Sequence, residues 1–373
     1  MKDRHEQYLL DITSIPTAAG KEFRVMKWIE AWAKRRRSIQ LVRDRYGNLT
    51  INRKGVTSRR PIYFTAHLDH PAFVVTRVLD DGRHVEAEFL GGVNDDYFED
   101  TAVAIWHGDM PAQRGRIISL DRRRGEWREH DQAVTARFSK RVKAEPGDVM
   151  TWALPKSRIS RGRLHAPACD DLAAVAAAIC AFEVLLSKPK HFGDVRMLFT
   201  RAEEVGFVGA MAAGQVTGPG AIPKQATLIC LENSKSMVDS PIGGGPIVRV
   251  GDRISVFDPD LTAQLCAVAE RKDVNGQALT YQRKLMPGGA CEATAFRLMG
   301  YRSTCLCLPL GNYHNMDEAA GKIAPESIAT GDYHGLIDLL VRAGRYLDST
   351  PAQSDLLSRL NRRFDQRRTL ISG

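Results

Sequence analysis

The sequence has no apolar run that could cross a bilayer, no paired CxxC cysteines and no internal repeat. Its longest apolar stretch, 172–186, is interrupted by Glu183 and rich in alanine, and it falls short of the roughly 18 to 20 residues that a spanning helix needs. Neither a transmembrane protein nor a membrane partner is expected. Residues 1–7 carry mixed charge and lack the apolar core and small-residue cleavage site of a secretory signal, so export is not expected either. The 7 cysteines are odd in number and scattered between Cys169 and Cys307. That pattern argues against a disulfide framework and suits reduced thiols in the cytoplasm. Cys305 and Cys307 alternate along an apolar run and read as packing residues. Aromatics make up only 7% of the chain, and a lone Phe364 between the last two of its arginine groups (35–37, 122–124, 362–363 and 367–368) does not make the stacking platform of a nucleic-acid binder. The formal charge of +9 then speaks to a solvated surface and weak steering of acidic peptides, and no nucleic-acid partner is expected.

What is present is a globular composition: 373 residues, 43% hydrophobic and 26% charged. Helical spacing recurs over 3–16 and over 20–34, where Phe23, Met26, Trp28, Ile29 and Trp32 supply the apolar positions. Extended runs follow at 39–42 and 49–52 around the turn Tyr46-Gly47-Asn48, and at 62–66 after Pro61. From 72 to 164 the texture changes to short β-like runs separated by Asp80-Asp81-Gly82, Gly91-Gly92 and Pro146-Gly147-Asp148, which predicts an inserted, mostly β domain. Beyond it, helical segments (172–186, 205–213, 261–270, 290–299) alternate with extended ones (195–200, 226–231, 303–308). Such alternation predicts an α/β fold with a mixed, largely parallel sheet and flanking helices. The expected division is a discontinuous α/β domain, 1–71 and 165–373, around an insertion at 72–164.

In an open α/β sheet, sites assemble at strand ends and in the loops that follow. Five segments bring carboxylates or imidazoles to the edge of an apolar run: His67-Leu68-Asp69-His70, Asp170-Asp171, Glu203-Glu204-Val205-Gly206, Glu232-Asn233 and Asn312-Tyr313-His314-Asn315. Charges at the end of a hydrophobic strand are costly unless a partner or a metal compensates them. His67-x-Asp69 places both side chains on one face of an extended segment, so Asp69 can orient the His67 ring. Asp170-Asp171 precedes an alanine-rich helix, where one aspartate suffices as a cap and a second can bridge two metals. Neighbouring glutamates point to different sides, so one of Glu203 and Glu204 can ligate while the other takes a proton from water. Each segment also has an ordinary reading as a cap or a solvated pair, but five such readings would have to hold together.

These residues resemble the tetrahedral, or glutamyl, aminopeptidases among the cocatalytic zinc exopeptidases. The likeness runs from Phe64-Thr65-Ala66-His67-Leu68-Asp69 through Phe89-Leu90-Gly91-Gly92, Asp170-Asp171 and Glu203-Glu204-Val205-Gly206 to Gly243-Gly244-Gly245-Pro246 and Gly288-Gly289 before Glu292. It implies two divalent metals, zinc first with cobalt or manganese as alternatives, held by His67, Asp170, Glu204, Glu232 and His314. Asp170 would bridge them, Glu203 would be the general base, Asp69 would orient His67, and a cis peptide would join Asp170 to Asp171. The implied reaction is removal of N-terminal residues from short peptides, and the implied state is a homo-oligomer built through the insertion. Three departures bear on substrate: Glu232 stands where Asp is common, His70 where an acid often follows, and the surroundings of His314 are closer to related carboxypeptidases and deacylases. Those activities, and a non-catalytic metal-binding scaffold, are the alternatives.

Overall fold

The computed structural model describes residues 2–123, 131–272, 276–351 and 356–371. Arg124, one of the charged residues noted in the insertion, lies outside the described residues. Two helices open the chain, α1 (Lys2–Thr13) and α2 (Phe23–Lys34), the second burying Val25, Met26, Ile29 and Trp32. β1 (Ile39–Arg43) and β2 (Leu49–Arg53) form an antiparallel hairpin. Its turn is closed by the Asp44 carboxylate, which accepts from the amides of Tyr46 and Asn48, as an Asx turn does. β3 (Ile62–His67) is buried along its whole length.

The chain then enters six strands, β4 (Ala72–Val78), β5 (His84–Leu90), β6 (Ala102–Trp106), β7 (Gln113–Arg123), β8 (Asp131–Phe138) and β9 (Val149–Trp152), which close into a barrel in the order β4-β5-β8-β7-β6-β9. Closure leaves no open sheet edge. Alternate positions fill the interior, where Phe73, Phe89, Phe98 and Trp152 meet largely edge to face. β10 (Arg158–Ser160) and β11 (Arg163–Ala166) do not belong to the barrel. β10 pairs with β11, and β11 with β19 (Glu326–Ala329), so the insertion boundary expected at 164 falls beyond the last barrel strand. The reason is burial: Leu164 and Ala166 belong to the main core, although the turn-rich stretch before them has the texture of barrel loops.

The remaining elements are α3 (Leu172–Leu186), β12 (Val195–Thr200), α4 (Val208–Ala213), β13 (Thr227–Lys235), β14 (Ile247–Gly251), α5 (Pro259–Glu270), β15 (Gln282–Leu285), α6 (Glu292–Leu298), β16 (Arg302–Leu310), the two-stranded ribbon β17 (Met316–Asp317) and β18 (Lys322–Ile323), α7 (Thr330–Tyr346) and α8 (Leu356–Arg367). Among the described residues the main sheet has eight strands, β1-β2-β12-β3-β13-β16-β14-β15, with β12, β3, β13 and β16 parallel to one another. Period-two alternation gives it two apolar faces. Phe64, Met197, Ile229 and Leu306 face a core shared with α1, α3, α5 and α7, whereas Tyr63, Leu198, Leu228 and Cys305 face α4 and α6. The alanines of α3 let that helix lie buried between the sheet, α1 and α7, which sets Asp170 and Asp171 at the strand ends.

Candidate metal centre

The ends of the parallel strands converge. His67 closes β3 and stands beside Thr200, the last residue of β12. On the other side Thr65 pairs with Cys230, which carries Glu232 to the level of His67 and onto the same face. Asp170 and Asp171 precede α3 and are joined by a cis peptide. Asp171 stands at the cap position without a side-chain cap bond; its carboxylate accepts instead from Asn233 Nδ2 at 2.9 Å and from the His67 amide at 3.3 Å. Glu203 and Glu204 do not sit in a helix first turn. The chain winds through Ala202 (φ 51°), Gly206 (φ 110°) and Phe207 (φ 59°) before α4 begins at Val208. The backbone at Gly206 explains the glycine of the Glu-Glu-Val-Gly segment, since a Cβ there would be strained. His314 follows β16 with φ 55°, between Asn312 and Asn315, which are also left-handed.

These loops bring ligand-type atoms into two groups that share Asp170. In one, His67 Nε2 lies 3.3 Å from Asp170 Oδ1 and 3.9 Å from Glu232 Oε1. In the other, His314 Nε2 lies 3.7 Å from Asp170 Oδ2 and 3.5 Å from Glu204 Oε2. Glu203 Oε2 is 4.0 Å from His67 Nε2 and belongs to neither pair of contacts, although His67, Glu203 and Glu204 are also close enough to form a donor set of their own. The His314 ring donates from Nδ1 to the Gly92 carbonyl at 2.5 Å, and its Nε2 has no hydrogen-bond partner among the described residues. Burial pushes the His314 pKa down to about 4, so the ring is a neutral donor with a free lone pair. His67 differs: burial pulls its pKa down, but Glu203, Asp170 and Asp69 outweigh that and hold it well above the ordinary range. Burial first, then mutual repulsion, pushes Glu203, Glu204 and Glu232 well above the usual carboxylate range. Crowded carboxylates with two imidazoles, one of them with an orphaned buried donor atom, are groups that could hold a divalent cation.

Further groups hold this set, and of these Glu326, Glu22 and Arg249 were not singled out by sequence reasoning. Glu326, fully buried, accepts from the amides of Cys169 (2.6 Å), Asp170 (3.0 Å) and His314 (2.9 Å), tying both ligand loops together. Glu22, at the start of α2, accepts from the Ala202 amide at 3.0 Å and from Arg201 Nε at 2.8 Å. Asp69 was expected to orient His67 and lies 3.5 Å from its Nδ1, but its shorter bonds, both 3.0 Å, are accepted from the amides of Glu203 and Glu204. His70 reaches the Asp170 carbonyl at 2.5 Å and Asn315 Oδ1 at 3.0 Å. Next to Glu232 opens a cavity of about 710 Å³, lined by Ser234, Met237, Met286, Gly289 and Tyr313. Arg249 reaches it from β14, buried, with Nη1 donating to Ser234 Oγ at 3.3 Å and Nε without a partner among the described residues.

A layered α/β sheet with clustered carboxylates and imidazoles at its strand ends, and a barrel inserted beside it, brings together the groups that a metal-dependent hydrolase uses. Residues 47–326 match the M42 glutamyl aminopeptidases, and the chain belongs to that family. It is thus a hydrolase of aminopeptidase type, in a metal-dependent family. A curated protein of Acetivibrio thermocellus that carries an aminopeptidase name is 23% identical over 305 residues, 80% of this chain and 86% of that protein. Solved structures that share the fold include two peptidases. A TET peptidase of Pyrococcus horikoshii, described as assembling into a tetrahedron or a large octahedral shell, superposes with a TM-score of 0.72 at 21% identity over 92% of this chain and 99% of that one. An aminopeptidase of the archaeon Desulfurococcus kamchatkensis gives 0.74 at 20% identity over 94% and 96%.

Proposed function

We propose that this chain is a dinuclear aminopeptidase that removes N-terminal residues, acidic ones by preference, from short peptides. The observation that carries it is the sharing of Asp170 between the His67–Glu232 and His314–Glu204 groups, in a chain of an aminopeptidase family. His67, Asp170, Glu204, Glu232 and His314 would hold the two ions, zinc first, with cobalt and manganese as alternatives. When bound, the ions would supply Lewis acidity, polarising the scissile carbonyl and lowering the pKa of water. Glu203, whose pKa burial raises, takes a proton from the attacking water and returns it to the leaving amine. Asp69 and Glu22 keep Glu203 on the strained turn from which it reaches the centre. The preference for acids rests on Arg249, a buried guanidinium at the cavity beside Glu232.

The departures at Glu232, His70 and His314 leave carboxypeptidase and deacylase activity as the alternatives. A panel of aminoacyl anilides, N-blocked peptides and acyl amino acids separates them, with cleavage of the unblocked glutamyl and aspartyl substrates expected. Glu203→Gln should retain metal by elemental analysis while losing about 10²-fold or more in kcat; near-normal turnover in that variant removes the base. Arg249→Met should lower kcat/KM for acidic substrates and leave neutral ones unchanged. We further infer a cytoplasmic homo-oligomer assembled through the barrel. Support comes from the assembly of the Pyrococcus horikoshii peptidase and from the seven cysteines, all free.

A further inference from the structure

α8 and the turn after it, Arg368–Leu370, follow the α/β domain and lie outside the segment matched to the family. Every described side chain over 357–371 is exposed. A helix of 12 residues is marginal in water without packing, because the cost of nucleation is recovered through tertiary contacts. The composition of α8 says what contact it needs. Leu357, Leu360 and Phe364, at i, i+3 and i+7, make one apolar face, exposed by 67%, 50% and 56%, and Leu370 and Ile371 follow it with 80% and 79%. Arg359, Arg363 and Arg367 form a row along the flank of that face.

A surface that covers α8 must therefore supply apolar depth and negative charge together. The acidic stretch of the barrel, with Asp80, Glu88, Asp96 and Glu99, offers charge, but Met110 and Ile118 are the only exposed large apolar side chains of the barrel among the described residues. The barrel of a second copy thus answers the arginines and not the leucines. Nucleic acid fails in the same way. A bilayer with anionic headgroups answers both within one surface, since an amphipathic helix lies in the boundary between headgroups and acyl chains while its basic flank meets lipid phosphates. We propose that α8 docks on anionic phospholipid membranes through Leu357, Leu360 and Phe364 and the arginine row, holding the enzyme at the membrane surface. No described helix is long and apolar enough to cross a membrane, which bears on crossing and not on this mode of contact.

The test is sedimentation of the full chain with phosphatidylcholine vesicles and with vesicles in which about a third of the lipid is phosphatidylglycerol. The bound fraction should be about tenfold greater on the anionic vesicles and should collapse in about 0.5 M salt. Leu360→Ser with Phe364→Ser, and separately Arg359→Glu with Arg363→Glu, should each abolish binding while hydrolysis of free peptides is unchanged. Equal binding by neutral vesicles or by either double variant overturns the proposal. So does a chain that ignores anionic vesicles but loses mass by light scattering, or RNA retention, in the Leu360→Ser and Phe364→Ser variant, because the face then serves a second copy or a nucleic acid.

Discussion

Glu326 shows how one buried carboxylate can position a centre without entering it. Its two oxygens accept three main-chain N–H groups, from Cys169, Asp170 and His314, and a neutral amide cannot replace them because its nitrogen would meet a donor. Glu326→Gln should therefore weaken metal affinity by about 10- to 100-fold, measured by chelator competition, with a stability loss of about 1–3 kcal/mol. Unchanged affinity would mean that the loops hold their shape without it. The ligand candidates were readable as lone charges at the ends of apolar runs. Glu22, Glu326 and Arg249 were not, because each earns its role from groups far along the chain: Glu22 from Arg201, Glu326 from Cys169, Arg249 from the cavity wall.

At the scale of elements, α4 fixes the loop that carries Glu203. Gly209, in its first turn, lies so close to the preceding strand end that a Cβ would stand 2.2 Å from the Arg201 carbonyl oxygen and 2.4 Å from its nitrogen, both backbone atoms that cannot swing away. Gly209→Ala should push α4 off the loop and displace Glu203. A fall in kcat of about tenfold or more is expected, with metal still bound, from steady-state kinetics and elemental analysis. The expected helix over 205–213 begins later, at Val208, because apolar spacing counts side chains and is blind to the left-handed turn at Gly206 and Phe207. By contrast α3 and β12 keep the predicted ends, where the apolar runs are bounded by Asp171 and Ser187 and by Asp194 and Arg201. β10 and β11 lie in the stretch read as the insertion, and only β19, the partner of β11 and more than a hundred residues on, separates them from the barrel.

The whole molecule should respond to pH through the charge crowded at its centre. Glu203, Glu204, Glu232 and Asp171 have pKa values raised first by burial, so the metal-free folded chain binds protons more tightly than the unfolded chain. Their contribution to metal-free stability is therefore full below the ordinary carboxylate range and is lost as pH rises through their raised values. Bound cations offset that charge, so chelation should lower Tm more at about pH 8 than at about pH 5, by calorimetry with and without chelator. An equal or larger drop at the lower pH would contradict the assignment. The alternation of apolar runs was enough to establish a layered α/β protein with a β insertion, since strand and helix periods are local properties of the chain. The chemical types at the site were legible for the same reason: a charge beside a buried strand is visible without knowing its partner. Tertiary structure alone decided which candidate ligand faces which, that Asp170 lies between the two imidazoles, that Asp171 turns away to Asn233, and that Arg249 reaches the cavity. Those facts depend on strand register and on loop backbone in left-handed conformations, and both are set by contacts between residues that the sequence holds far apart.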